Sequence, residues 1–301
     1  MTLALSGHAS FAVVHHLAAP WRYPFMRHAL VAGTAVAVMS ALVGWFVVVR
    51  QEAYAAHSLA MVAFPGATVA ASLGIAPVLG YFGFAVAGAG VIAAVGSGPT
   101  SRTHQGHSAA VATVQVTALA LGLLIASLSQ GFLANTTSFL FGSFLGISAT
   151  EAALLVVVAA AVVVALAALG RPLLFASVEP SAAGGAGVPV GAVRLAFLVL
   201  VAVAVAATSQ FTGVLLVFSL LVTPPAIAQA LTCRPAVSMA TGVAVSMALV
   251  WAGLGAAFYT DRPAGFWIAS LGFAAYVVVR AGSALRAVTI RRRRGRPCPS
   301  P

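Results

Sequence analysis

The chain has 301 residues, of which 61% are hydrophobic and only 6% are charged, and its formal net charge is +11. Soluble domains are about 45–50% apolar and about 25% charged, so this composition excludes a soluble globular enzyme, a disordered chain and a coiled coil. All fifteen basic residues are arginine, and without lysine the chain cannot build a P-loop, whose lysine contacts the β- and γ-phosphates. Any nucleotide energy must therefore come from another subunit.

Nine segments of the chain are long and apolar enough to cross a membrane as helices. A helix needs roughly 20 apolar residues to span a hydrocarbon core of ~30 Å, and these segments lack the alternation of a membrane β-strand. The sequence therefore predicts an all-α, polytopic membrane helix bundle of about nine transmembrane helices, or eight if the sixth and seventh segments merge. The predicted spans are 25–49, 57–75, 77–96, 108–129, 151–169, 194–208, 212–230, 236–259 and 265–285.

The segments between the spans are short and polar. The longest, 170–193, is predicted as a loop, and its part 181–189, rich in Gly, Ser, Pro and Ala, has the composition of a flexible linker. The chain thus divides into an N-terminal leader (1–24), a transmembrane domain (25–288) and a basic tail (289–301).

The arginines indicate how the helices are oriented. Cytoplasmic loops of membrane proteins carry an excess of basic residues, so the basic tail is placed in the cytoplasm. Counting nine spans back puts the N-terminus outside, and only Arg22, Arg27 and Arg262 of the fifteen arginines then lie outside. We therefore expect an N-out, C-in, multi-pass protein. Its positive charge reflects topology and contact of the tail with anionic lipid, and nucleic acid is not an expected partner.

Two pairs of helix-breaking residues interrupt the predicted spans. Pro65-Gly66 lies in the second span and Pro224-Pro225 in the seventh. Proline removes a backbone hydrogen bond, and broken helices often line the substrate path of transporters. The pairs therefore predict either helix breaks that line a path or ordinary packing kinks, since proline and glycine are common in membrane helices.

The second span also carries the best candidates for metal ligands. His57 and Met61 are four residues apart and share a helix face, and imidazole and thioether groups bind transition metals. A single histidine at a helix end is also typical of an interfacial position, so both interpretations stay open. Gln115 and Gln130 lie in or near a span, where either can hydrogen-bond across helices.

Four stretches, in order along the chain, resemble the membrane subunit of ABC-type metal-ion importers, the zinc and manganese permease family. The most specific stretch, 211–226, reads FTGVLLVFSLLVTPPA and is similar to the family pattern FVGxLLxxSLLxxPAA. The other three are 46–66 (FVVVR to the PG pair), 138–151 (SFLFGSFLGIS to a glutamate) and 258–265 (FY to PAG). Each stretch is weak alone, and their order and spacing carry the resemblance.

The resemblance breaks at the residues that would contact the metal. His57 stands where the family carries an aspartate, and Met61 where it carries a histidine four residues later. Ser143 also replaces a frequent aspartate. Histidine and methionine are softer ligands than aspartate and histidine. The sequence therefore indicates the family of this chain more clearly than the metal that the chain transports.

The resemblance implies a mechanism and a set of partners. Similar permeases of the bacterial plasma membrane pair as homodimers, each copy docking a cytoplasmic ATP-binding subunit, while an extracellular binding protein delivers the ion to a path along the dimer interface. No cofactor would be bound covalently, because the divalent metal ion is cargo and ATP belongs to the partner subunit. The segment 229–239 is then the candidate coupling element, with Gln229 and Arg234 as its polar contacts, unless Arg234 only marks topology.

Three other functions compete with this one. An ABC permease of the siderophore or cobalamin type would carry a larger cargo and leave His57 and Met61 incidental. A stand-alone secondary transporter needs intramembrane Asp, Glu or His as ion carriers, and only His57 and Glu151 offer that. An intramembrane enzyme would need paired acids or a metal triad, neither of which the sequence shows.

Overall fold

The computed structural model describes residues 23–95, 104–128, 146–213, 217–260 and 262–294. Within these ranges all regular secondary structure is helical, which confirms the predicted all-α fold. Almost all of the predicted leader lies outside them, as do Gln130 and Ser143. The helices are α1 (Pro24–Val49), α2 (Ala53–Ser72), α3 (Pro77–Val95), α4 (His104–Leu128), α5 (Ala149–Val178), α6 (Pro180–Gly185), α7 (Val190–Thr212), α8 (Val217–Leu231), α9 (Pro235–Thr260) and α10 (Ala264–Arg294).

Eight of these helices are long and apolar enough to cross a membrane, namely all except α6 and α8. α8 is apolar but has only 15 residues. Gly213 follows the end of α7 with a φ of +80°, a conformation that glycine adopts without steric cost. The sixth and seventh predicted spans are therefore separate helices, and the polytopic bundle is confirmed for the described part of the chain.

The prediction for the segment that follows the fifth span was wrong. The predicted loop 170–193 is largely helical, because α5 continues through Pro172 to Val178 and α6 covers the first part of the predicted linker. A membrane helix tolerates the loss of one backbone bond at a proline, and Leu173 and Ala176 beyond it are buried. Packing therefore continues the helix past Pro172, into the segment that was predicted as a loop.

α1 and α2 occupy the centre of the bundle. α1 packs against α5, α7, α8 and α9, while α2 packs against α3, α4 and α7. The spans have no polar face to turn outward, so close packing of small residues, rather than an amphipathic pattern, selects their neighbours.

Contacts between helix termini define two ends of the bundle. At one end, Arg50 after α1 donates a hydrogen bond to Ser177 of α5, and Glu52 lies 3.9 Å from Arg194 of α7; we call this the basic end. At the other, the ring centroids of Tyr23 before α1 and Phe258 of α9 are 5.7 Å apart; we call this the aromatic end. The orientation of these ends across the membrane stays a prediction.

α10 begins at the aromatic end and continues as helix to Arg294. The predicted basic tail, 289–301, therefore starts within this helix rather than after it. The division of the chain into leader, membrane domain and tail stays a prediction.

Candidate functional site

The two predicted metal ligands lie near the start of α2, at its junction with α8. The half-buried His57 ring meets the Phe218 ring of α8 edge-on, with 5.8 Å between ring centroids. Met61 lies one turn further along α2, partly buried against the apolar core. The helix therefore keeps both side chains on one face, as the spacing predicted.

A nitrogen and a sulfur on one helix face supply two neutral donors. Over the described ranges, no group of three or more His, Cys, Asp or Glu could hold a metal ion. A closed structural zinc site takes four ligands, whereas an ion in transit must bind weakly enough to leave. Two donors on their own therefore fall short of a permanent site, and a contact of His57 and Met61 with the cargo stays a prediction.

Ser58, beside His57, links α2 to α4. Its hydroxyl is fully buried and donates to Oε1 of Gln115 at 2.7 Å. This confirms the predicted hydrogen bond of Gln115 across helices. Near its start, α2 thus presents a hydroxyl to α4 and has an imidazole in contact with α8.

α2 continues as helix through Pro65 and Gly66, and both residues are buried. A Cβ added to Gly122 of α4 would lie 2.7 Å from Cγ of Pro65, and a Cβ added to Gly66 would overlap the carbonyl oxygen of Gly80 on α3. The pair is therefore a point of close packing among three helices. Its predicted place on a substrate path stays a prediction.

α8 also continues through Pro224 and Pro225, which are buried. Because Pro225 has no N–H, it leaves the carbonyl of Leu221, four residues earlier, without its usual helical donor. That carbonyl faces Gly44 of α1, where an added Cβ would overlap it. Glycine at position 44 thus allows α1 to approach the interrupted turn of α8.

Gln229, one of the predicted coupling residues, holds α8 against α1. Its side-chain amide donates to the backbone carbonyl of Trp45 at 3.1 Å, and the Trp45 indole N–H donates to the buried hydroxyl of Ser238 on α9 at 3.0 Å. The α8–α9 corner (residues 232–234) is thereby fixed to α1 through one residue. The sequence reasoning missed Trp45, although an indole N–H within an apolar span needs a partner.

Arg234, the other predicted coupling residue, lies in the α8–α9 corner and is exposed. Its backbone N–H donates to the hydroxyl of Thr232 at 3.3 Å, which shapes the turn between the helices. Arg234 is therefore exposed at the surface of the basic end, and its coupling role stays a prediction.

A charged cluster at the basic end was also missed by the sequence reasoning. Arg50 donates to Ser177 at 3.1 Å, pairs with Glu52 at 3.3 Å and lies 5.2 Å from the ring centroid of Phe197. The Arg50 and Glu52 side chains are only 11% and 12% exposed. Glu52 also contacts Arg194, so its carboxylate links α7 to Arg50 after α1, and Arg50 in turn bonds to α5. Charge spacing in the sequence gave no sign of this cluster, because its partners come from distant helices.

Comparisons with known proteins bear on the whole bundle. The sequence model of the ABC 3 transport family matches residues 22–282. The chain is 27% identical over 213 residues to the manganese transport system membrane protein MntC of Halalkalibacterium halodurans, covering 70% of this chain and 71% of that protein. It is 25% identical over 237 residues to the high-affinity zinc uptake system membrane protein ZnuB of Haemophilus influenzae, covering 79% and 89%.

The fold matches a solved structure. The chain is similar to PsaBC from Streptococcus pneumoniae in complex with Fab, with a TM-score of 0.78 and 19% sequence identity. The match covers 89% of this chain and 95% of that one, so the likeness extends over nearly the full bundle.

Proposed function

The chain belongs to the ABC 3 transport family, and from that premise we propose that it is the membrane-spanning permease subunit of an ATP-binding-cassette importer of divalent metal ions, of the zinc, manganese or iron class. The observation that carries the proposal is the family match over residues 22–282, which runs from α1 into α10. Relatives named for manganese and zinc transport supply the cargo class. The eight membrane-length helices of the described residues, together with the membrane-protein relatives, make it a multi-pass protein of the cell membrane.

In this proposal ATP hydrolysis belongs to a separate cytoplasmic subunit. The chain contains no lysine, so it lacks the residue that a P-loop needs to contact nucleotide phosphates. The other partners are an extracellular metal-binding protein and a second copy of the chain. The gathering of Arg50, Arg194 and Arg234 at one end supports a cytoplasmic position for the basic end.

α8 is the element that would couple the ATPase to the cargo. One of its termini leads into the corner that carries the exposed Arg234, and near the other Phe218 packs on His57. Between them, Gln229 bonds α8 to α1, and the two prolines weaken the helical backbone where it can bend. Movement of the corner would therefore shift Phe218 relative to His57, in a two-state rocking of the helices.

Co-purification of the ATPase subunit tests the coupling role of Arg234. The substitution Arg234→Ala is expected to weaken the complex about tenfold, as for the loss of one charged hydrogen bond across an interface. Arg262→Ala is the matched control, because Arg262 is also exposed but lies at the aromatic end. Equal recovery of the ATPase with both variants would leave Arg234 with a topological role only.

The metal content of cells tests the function itself. Cells without an importer of their own are expected to accumulate zinc, manganese or iron when they express this chain with its ATPase and binding protein. Omitting this chain should return the metal content to background. Metal accumulation that persists when the P-loop of the ATPase is inactivated would instead favour a secondary transporter. ATP hydrolysis by the purified chain alone would contradict the proposal that a separate subunit hydrolyses ATP.

A further inference from the structure

An open apolar groove runs along the surface of the bundle between α1, α5 and α9. Its volume is about 520 Å³, and valine and alanine side chains form most of its wall. Of the residues that line it, only Thr34 and Trp251 carry polar side chains. The Trp251 indole N–H donates to the Thr34 hydroxyl at 2.9 Å, and that hydroxyl donates to the Leu30 carbonyl at 2.7 Å. The groove therefore offers an apolar surface to whatever fills it.

A smaller pocket of about 240 Å³ continues the groove toward the aromatic end. Its lining residues are Pro24, Arg27, His28 and Val31. Val31 also lines the groove, so the two spaces are neighbours along α1. Arg27 is exposed and His28 is half-buried, which gives the mouth of the groove a cationic side chain.

The acidic residue at this end of α5 does not cancel that charge by direct pairing. Glu151 starts α5 at the aromatic end, and its Oε2 accepts hydrogen bonds from the backbone N–H and the hydroxyl of Ser148, both at 2.9 Å. Its carboxylate is thus engaged in capping its own helix.

The length of the groove matches one leaflet of a bilayer. Positions 27 and 38 of α1 are 11 residues apart, or ~16 Å at 1.5 Å per residue, and Val38 lines the far part of the groove. Half of a hydrocarbon core of ~30 Å is ~15 Å. The groove is therefore long enough to extend from the headgroup level of one leaflet to about the middle of the membrane.

We propose that an anionic phospholipid binds here, with its phosphate at Arg27 and His28 and one acyl chain in the groove between α1, α5 and α9. An acyl chain supplies the dispersion contacts that an empty groove would forfeit. Arginine matches phosphate geometry through two parallel N–H donors. This site lies at the end of the bundle opposite the predicted basic tail, and it requires only that the bundle sits in a bilayer, whatever the cargo.

Quenching of Trp251 fluorescence tests the proposal on the full chain, because this residue lines the groove. The chain is placed in phosphatidylcholine vesicles that contain a small, equal fraction of either phosphatidylglycerol or phosphatidylcholine with brominated acyl chains. The signal that disappears in Trp251→Phe is assigned to the groove. We expect the brominated phosphatidylglycerol to bind about fivefold more strongly, the factor that one basic residue gives at an anionic lipid.

Two pairs of matched variants separate the headgroup from the acyl chain. Arg27→Gln should abolish the preference for phosphatidylglycerol, while Arg262→Gln, at an exposed arginine of the same end outside the groove, should keep it. Ala160→Leu fills the groove from an exposed position on α5 and should reduce quenching several-fold. Ala153→Leu, also exposed on α5 but outside the groove, should not.

Four outcomes would overturn the proposal. Equal quenching by both brominated lipids would show that the groove has no site for an anionic headgroup. Equal effects of Arg27→Gln and Arg262→Gln would show that the preference comes from the general surface charge of this end. A change in oligomeric mass with Ala160→Leu, without a change in quenching, would assign the groove to a second copy of the chain. A rise in quenching on deletion of residues 1–22 would assign it to the chain's own N-terminal segment. Gel filtration of each variant confirms that the comparison is made on folded protein.

Discussion

α1 and α4 have nearly the same hydropathy but very different surroundings. The mean hydropathy is 2.1 for α1 and 2.0 for α4, yet 67% of the apolar part of α1 is buried within the chain, against 11% of that of α4. Hydropathy decides whether a helix enters lipid. It does not decide what covers the helix there, because lipid tails are as apolar as a neighbouring leucine.

The difference comes from a few specific contacts that α1 makes. Gly44 admits the carbonyl of Leu221, and Ser40, which is fully buried, shares a hydrogen bond of 2.9 Å with the hydroxyl of Thr208 on α7. Trp45 and Arg50 then bond to α9 and α5. Small residues and paired polar groups therefore determine which helices lie at the centre of the bundle and which lie at its periphery. Substitutions at such residues in α1 should lower the stability of the chain more than substitutions in the exposed helices.

The largest expected effect is that of Arg50→Gln. It leaves Glu52 buried with only the 3.9 Å contact to Arg194, and breaking a buried ion pair costs about 3–5 kcal/mol. The free energy of unfolding in a mixed-micelle SDS titration measures it. Arg171→Gln, at an exposed position of α5, is the control and should change the stability by about 0.5 kcal/mol or less. Equal losses of unfolding free energy in the two variants would show that the charged cluster does not stabilise the fold.

Alanine at two different glycine positions should change the free energy of unfolding differently. Gly44→Ala places a Cβ on the carbonyl of Leu221 and should destabilise the chain by about 1–3 kcal/mol, the usual cost of overpacking. Gly83→Ala on α3 meets nothing within 4 Å, so helix propensity should make it neutral or stabilising by up to about 1 kcal/mol. The same SDS titration compares them, and a Gly44→Ala chain as stable as Gly83→Ala would show that α1 and α8 do not need this close approach.

The smallest effect is expected for Trp45→Phe. It removes the hydrogen bond to Ser238, leaves that buried hydroxyl unpaired, and should cost about 1–2 kcal/mol. Trp251→Phe is the matched control, because Thr34 keeps its hydrogen bond to the Leu30 carbonyl and the indole is 44% exposed. In detergent, Trp45→Phe should unfold at a lower temperature than Trp251→Phe. The reverse order would contradict the role of Trp45 at the α8–α9 corner.

Most of the fold was predictable because the membrane imposes it. Apolar runs of about 20 residues, separated by short polar segments, predicted a helix at each of the nine segments. The errors came at helix boundaries: the segment 170–193 was predicted as a loop, whereas buried Leu173 and Ala176 show that packing continues past Pro172. Local composition carries no information about that packing.

The candidate site was predictable only where it depends on one helix. The i, i+4 spacing placed His57 and Met61 on one face of α2. The chemistry of proline singled out Pro224 and Pro225, and the family resemblance pointed to the corner after α8. The contacts of His57 with Phe218, of Glu52 with Arg194 and of Trp45 with Ser238 join residues far apart in the sequence. They follow from which helices are neighbours, and uniformly apolar helices do not encode their neighbours in any periodic pattern.

The most direct test of the account is metal uptake by a His57→Ala, Met61→Ala double variant, expressed with the ATPase and binding protein. If this face of α2 contacts the cargo, accumulation of the transported metal should fall by about tenfold or more, the scale of effect that loss of metal-site interactions produces. Co-purification of the ATPase should remain, because Gln229 and Arg234 are untouched. Normal accumulation of zinc, manganese and iron by the double variant would contradict the account and leave the two side chains with a structural role.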